Sequence, residues 1–417
     1  VVGCVNCHYS LNNPVYFQQR KESRPVHLDF DPRRLSNSDY LERPLHQLAK
    51  GSAVNGLNAS ESENSMRRCD GCHDAANVHE WLPYKARHFD ALACESCHVP
   101  KLYGPALQAL DWTLVDPAGL PLRQYREVDG DPATAEGLIR GFVPLLLPRD
   151  NVGGAGKLAP FNLVSSWYWT AGEAGERIAP EHLARVLYPN GSLHGEVLEL
   201  LDTDDDGHVS SDEFRLDTEA KAERIRQLLE ADGLQDVRLA AEVTPYPISH
   251  SVVNGRWANR DCRHCHEGDS VLGAAFTLSD YLPGNLTPSL TGPFSDTLAG
   301  RVKTGTAGGA RFEADSSANG FYVLGHDSVS LVDLAGLAMF LGISLGVSGH
   351  AVARYVANRR RPRRSHPTRR VQMYDAYERL WHWLQAGAIL TLVFTGLVIH
   401  KPQYFGILSF PYVVHVH

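Results

Sequence analysis

None of the eight cysteines in this 417-residue chain stands outside a Cys-x-x-Cys pair, and residues 99–261 contain no cysteine at all. The first absence argues against a disulfide framework, which would not need the histidine that follows every pair. The second makes 99–261 an insert that must fold around a conventional core. Charge is absent from Leu334–Ala353 and again from Trp381–His400, runs of 20 residues each. Acid is absent between Arg354 and Arg370, where eight arginines fall. The chain's net charge is −8, so the remaining residues together carry twice that. An acidic body of this kind repels nucleic acid, which is therefore not expected as a partner. With 43% hydrophobic and 21% charged residues the composition excludes a disordered or fibrous chain, and the length allows two or three domains. No secretory signal is visible at Val1, and Val413–His417 is an apolar run, so both ends are expected to be cut from something longer.

What is present is the motif Cys-x-x-Cys-His, four times: Cys4, Cys7 and His8; Cys69, Cys72 and His73; Cys94, Cys97 and His98; Cys262, Cys265 and His266. This is the spacing of covalent c-type haem attachment. Two thiols three residues apart reach the two vinyl groups on one haem edge, and the adjoining histidine swings under the ring to the iron. A zinc site would use two such knuckles without the histidine, and a thioredoxin-like pair would come singly. Four copies that use every cysteine favour four covalent haems c, which are attached outside the cytoplasm.

The sixth iron ligands are sought among the other histidines. His79 follows His73 by six residues, His88 precedes Cys94 by six, and His250 precedes Cys262 by twelve. These rank first, followed by His27, His46 and His326. Any one of them could equally be an ordinary surface or core histidine. His264 sits inside a motif and is expected to point away from its iron.

Within the insert, Asp202, Asp204, Asp206, Gly207, His208, Ser210 and Glu213 fit the EF-hand loop at positions 1, 3, 5, 6, 7, 9 and 12. The carboxylates, the His208 carbonyl and Ser210 are hard oxygen donors suited to Ca2+. Helices are expected over Leu193–Leu201 and Asp212–Glu230. No second loop of this kind is present, so a structural calcium clamp is expected rather than a sensor. The competing possibility is an acidic turn that binds nothing.

Each uncharged run is long enough to cross a bilayer. The arginine-rich stretch between them should face the cytoplasm, which places the haem motifs outside. His382 and His400 lie 18 residues apart, five helical turns, and so share a face about 27 Å apart along the axis. Intramembrane histidines are functional candidates, here for haem b. His400 could instead simply sit at the interface beside Lys401.

The segment Tyr377–Leu384, with Trp381, His382 and Trp383, and Thr395-Gly396 resembles the first helix of the di-haem cytochrome b subunits of formate dehydrogenase and nickel–iron hydrogenase. That resemblance implies that His382 binds the haem nearer the cytoplasm and His417 or His415 the outer one. It also implies a quinone partner and the cytoplasmic (inner) membrane of a prokaryote, with the haem c domain on the periplasmic side. The family's remaining helices are absent here. His88 followed by Leu92–Pro100, with Asp111-Trp112 and Trp167-Tyr168-Trp169, resembles the octahaem tetrathionate reductase-like cytochromes, which implies His88 as a distal ligand. This chain has four motifs rather than eight and no Cys-x-x-Cys-Lys, so catalysis does not carry over.

The expected fold is mainly α with long loops: a haem-wrapped multihaem cytochrome c domain with an EF-hand insert, then transmembrane helices of a cytochrome b-type bundle. The expected divisions are 1–115 for haems one to three, 116–245 for a helical insert, 246–330 for the fourth haem, 331–356 for the first span, 357–376 for the cytoplasmic loop and 377–417 for the start of the membrane domain. The cofactors expected are four haems c, one or two haems b and Ca2+. The expected function is electron transfer between the quinone pool and an outer haem c chain, with membrane lipid and a redox protein or further cytochrome subunits as partners. Two other readings are a haem-dependent oxidoreductase for a small sulfur or nitrogen compound and a structural wiring subunit.

Overall fold

The computed structural model describes residue 69 and residues 73–103, 106–130, 138–151, 154–248, 250–290, 300–305, 308–315, 322–360, 372–405 and 408–417. Cys4, Cys7, His8, His27, His46 and Cys72 lie outside them. The chain divides into two compact units, one of Val1–Arg260 and Val271–Phe321, the other of Asp261–Ser270 and Tyr322–His417.

The first unit is built on β-sheet, which overturns the expectation of a mainly α, haem-wrapped fold. After three short helices, α1 (Ala75–Val78), α2 (Lys85–Ala91) and α3 (Cys94–His98), come β1 (Leu107–Val115), β2 (Pro121–Tyr125), a two-residue pair β3 (Val128–Asp129) and β4 (Leu138–Ile139), β5 (Leu145–Asn151), β6 (Gly154–Ala171) and β7 (Glu176–Arg177). Helices α4 (Pro180–Leu187), α5 (Gly195–Leu201) and α6 (Glu219–Ala231) precede β8 (Arg238–Pro247). Then follow β9 (Ala275–Ser279), β10 (Ser289–Leu290), β11 (Gly300–Thr304) and β12 (Ala310–Ala314). Seven strands form one mixed sheet in the order β10-β8-β6-β1-β2, with β5 and β7 also paired to β6. β6 runs parallel to β1 and antiparallel to β8. β11, β12 and β9 make a second, antiparallel sheet. The sheet thus runs through the supposed helical insert.

The reason is burial on both faces. β1 is buried at eight consecutive positions, Gln108 to Val115, so it shows no alternation to read. One cluster packs Leu110, Trp112, Leu114 and Trp169 with Leu183, Leu187, Val197, Leu201, Ile225 and Leu229 of the helices. A second packs Leu147, Phe161, Leu163 and Trp167 with Leu278 and Phe312 of the smaller sheet. Each such side chain contributes about 1.5–3 kcal/mol on burial. Arg126 is buried between the sheets, 3.9 Å above the Phe276 ring, and donates to Asn162 Oδ1, Leu163 O and Thr277 O. Burial lowers its pKa to about 9, which leaves it charged at neutral pH.

The second unit holds α7 (Arg263–His266), the long helices α8 (Ser330–Arg360) and α9 (Ala376–His400), and the short α10 (Pro402–Phe405) and α11 (Phe410–Val416). With 31 and 25 residues, α8 and α9 are about 46 and 37 Å long, enough to cross a membrane. Their large apolar side chains, among them Leu334, Phe340, Ile343, Trp383 and Leu390, are exposed. α9 begins with a capping box: Asp375 Oδ1 accepts from Glu378 N (2.7 Å) and Glu378 Oε2 accepts from Asp375 N (2.9 Å). Near its other end, Val398 and Ile399 bury against Val413 of α11.

Candidate haem and calcium sites

The third Cys-x-x-Cys-His motif forms α3 and is fastened to the sheet. Ala93 N donates to Leu158 O (2.8 Å), and so does Ser96 Oγ (2.6 Å). The Glu95 carboxylate pairs with Arg149 of β5 at 3.2 Å, with both side chains largely buried. The two middle residues of the motif therefore point into the protein, and the cysteines and His98 are left toward the other side. A second strand of chain closes over them: Val253 N donates to His98 O (2.8 Å) and Asn259 N to Cys97 O (2.8 Å).

His98 Nδ1 lies 2.9 Å from Val253 O, and His79 Nδ1 lies 2.8 Å from Ala75 O. A carbonyl at Nδ1 keeps the proton there and makes Nε2 the lone-pair donor, the arrangement typical of metal-binding histidines. The two rings stand 6.1 Å apart at 77°. Two imidazoles that share one metal ion through their nitrogens can have ring centres about 6 Å apart. Cys94, Cys97, His98 and His79 are therefore the candidates to hold a haem at this motif. Phe89 packs edge-on to His79 at 5.5 Å. Cys69, which opens the second motif, hydrogen-bonds Cys94; that bond and burial raise its thiol pKa. Motifs two and three are therefore adjacent.

His88 is on α2 with Nδ1 3.3 Å from Tyr84 O. His73 and His250 are exposed.

The acidic loop brings its carboxylates together. The carboxylate oxygens of Asp202, Asp204 and Asp206 lie within 4.8 Å of one another. Gly207 takes φ +81°, and its N–H donates to Asp202 Oδ2 (2.8 Å). Glu213 reaches back across the loop: Oε1 accepts from Thr203 N and Oγ1 (2.8 and 2.6 Å), and Oε2 from Ser210 N and Oγ (2.9 and 2.8 Å). Hydrogen bonds from Thr203 and Ser210 hold its pKa at about 2. Partial loss of water and the neighbouring Asp206 push Asp204 up. His208 is exposed, and its N–H donates to Asp206 Oδ1 (2.7 Å). The helix after the loop begins at Glu219 rather than Asp212, because Thr218 caps it: its Oγ1 accepts from Lys221 N (3.2 Å).

In the second unit, the fourth motif forms α7. His266 Nδ1 lies 2.6 Å from Leu324 O, and its ring stacks on Phe410 at 4.9 Å and 28°. His326 Nδ1 lies 2.9 Å from Glu267 O and 3.0 Å from Ser270 Oγ. Of the haem b candidates, His382 is exposed beside Trp383. His417 Nδ1 lies 2.8 Å from Thr395 Oγ1. His400 Nε2 pairs with Asp333 Oδ1 at 3.1 Å, tying α9 to the first turn of α8.

The Leu158, Arg149 and Val253 anchors of motif three, and the Leu324 and Phe410 contacts of motif four, carry no local sequence signal, because each comes from a distant part of the chain.

No family profile matches this chain, and no curated protein does. Among solved structures it is similar to the crystal structure of octaheme cytochrome c from Shewanella oneidensis, at 14% identity and a TM-score of 0.29. The match covers 62% of this chain and 61% of that one, so this chain spans about three fifths of its length. That likeness is too distant to define a family.

Proposed function

We propose that this chain is a membrane-anchored electron-transfer protein that holds haem c at its Cys-x-x-Cys-His sites and exchanges electrons between quinone in the bilayer and a redox protein outside the cytoplasm. The observation that carries the reading is the pair His98 and His79, 6.1 Å apart beside Cys94 and Cys97, each with Nδ1 on a main-chain carbonyl.

Haem iron supplies one-electron chemistry whose potential follows its ligands and burial. The chain's own residues do the rest. Cys94 and Cys97 would bind the macrocycle. His98 and His79 would both hold the iron through Nε2, which favours electron relay over catalysis. The Glu95–Arg149 pair and the Leu158 bonds hold α3 on a rigid sheet, so the ligands need not move as charge changes.

α8 and α9 would anchor the chain in lipid, with Arg359–Arg370 on the cytoplasmic side. His382 and His417 are the haem b candidates, whereas the His400–Asp333 pair reads better as a tie between the spans. The loop at 202–213 would hold Ca2+ as a clamp among the helices.

Low-temperature EPR of the ferric protein tests the axial pair. The expected result is a low-spin signal for the His98 site, converted to about one equivalent of high-spin haem by His79→Ala. An unchanged spectrum in that variant rejects His79 as the ligand.

A further inference from the structure

The fourth motif does not fold with its sequence neighbours. Asp261–Ser270 belongs with Tyr322–His417, while Arg260 before it and Val271 after it belong to the sheet unit. Four contacts within the second unit say where it sits. His266 Nδ1 is held by Leu324 O (2.6 Å), a few residues before α8 starts at Ser330. The His266 ring stacks on Phe410 of α11 (4.9 Å). α11 in turn packs on Val398 and Ile399, near the end of α9. Gly325, at φ +87°, is wedged between the motif and that helix end: a Cβ there would come within 2.4 Å of His266 O, 3.2 Å of Ile399 O and 3.2 Å of Pro402 Cδ. Only glycine fits such a backbone approach.

Those contacts converge on residues 398–403, where the uncharged run ends at His400 and Lys401 follows. In a helix that spans a bilayer, that boundary is the membrane surface. The donor set suits a haem c: two cysteines and a histidine whose Nδ1 is committed to a carbonyl. The edge formed by Leu324, Phe410 and Gly325 is apolar or main chain.

We propose that the haem held by Cys262, Cys265 and His266 is seated at the membrane surface, and that it is the carrier through which the other haems exchange electrons with the bilayer. This rests on the electron-transfer reading above and adds to it the point of entry. A haem held there would supply one-electron chemistry: a quinol's two electrons would reduce two ferric irons in succession, and its two protons would go to solvent. The site's own contributions are placement, through Phe410 and Leu324, and orientation of His266.

The test uses the full chain in vesicles that carry a fluorescent label on a lipid headgroup. Haem quenches such a label steeply with distance. Cys262→Ala with Cys265→Ala removes one haem, and quenching should fall at least about twofold relative to the parent, with quinol-driven reduction of the remaining haems slowed at least about tenfold. Equal quenching by parent and variant overturns the placement; an equal quinol rate overturns the role. A parent whose c haems quinol does not reduce refutes the quinone reading instead, and quenching still decides the placement. Should the double variant fail to fold, Phe410→Ala keeps all four haems. It should shift the midpoint potential of one haem and leave the rest; four unchanged potentials overturn the seating of His266 on α11.

Discussion

At His98 and His79 a single hydrogen bond to a backbone carbonyl decides which nitrogen can bind metal, and the two rings stand 6.1 Å apart. The same economy governs Glu213, whose two oxygens are each held by a backbone N–H and a hydroxyl from Thr203 or Ser210. Those bonds lower its pKa from 4.5 to about 2. A carboxylate depressed in the folded state stabilises the fold fully above its unfolded value, and that contribution fades as pH falls through the folded value. In calcium-free protein the loop should therefore stay intact well below pH 4.5 and loosen only toward about 2. NMR titration of Glu213 measures this directly, and Ser210→Ala should move its pKa upward; an ordinary value in the parent contradicts the geometry. Spacing in the sequence names His79, His98 and Glu213 among the candidates. It cannot show the carbonyls of Val253 and Ala75, since main-chain partners have no residue signature.

Among the elements, the loop Asp202–Glu213 stands between α5 and α6, whose Val197, Leu201, Ile225 and Leu229 bury in one cluster with the sheet. Calcium bound there would stabilise the whole layer by mass action, by about 2.7 kcal/mol when free calcium is a hundred times the Kd. Thermal melting with and without chelator measures it. A drop of several degrees in the first transition is expected on chelation, and an unchanged transition rejects the clamp. The loop was picked out as a calcium candidate because its acidic residues fall at fixed offsets. The sheet was not legible. β1 is buried at nearly every position, and β6 runs Ser165, Ser166, Trp167, Tyr168, so its sequence does not alternate polar with apolar residues, although burial along β6 does alternate from Ser165 to Thr170. The Glu-, Ala- and Lys-rich stretch near α6 then suggested helix for the whole insert, whereas helix occupies only its exposed layer.

Across the molecule, two helices long and apolar enough to cross a membrane were legible from the absence of charge, and α8 and α9 cover both uncharged runs. The allegiance of the fourth motif was not, because its neighbours in sequence belong to one unit and its contacts to the other. The account as a whole turns on covalent haem. Intact-mass spectrometry of the full chain, purified from a host that assembles haem c, tests that most directly. The account predicts a single species heavier than the polypeptide by four haems, each lost only when its Cys-x-x-Cys pair is replaced. A mass equal to the bare polypeptide, or one carrying only metal ions, would contradict it.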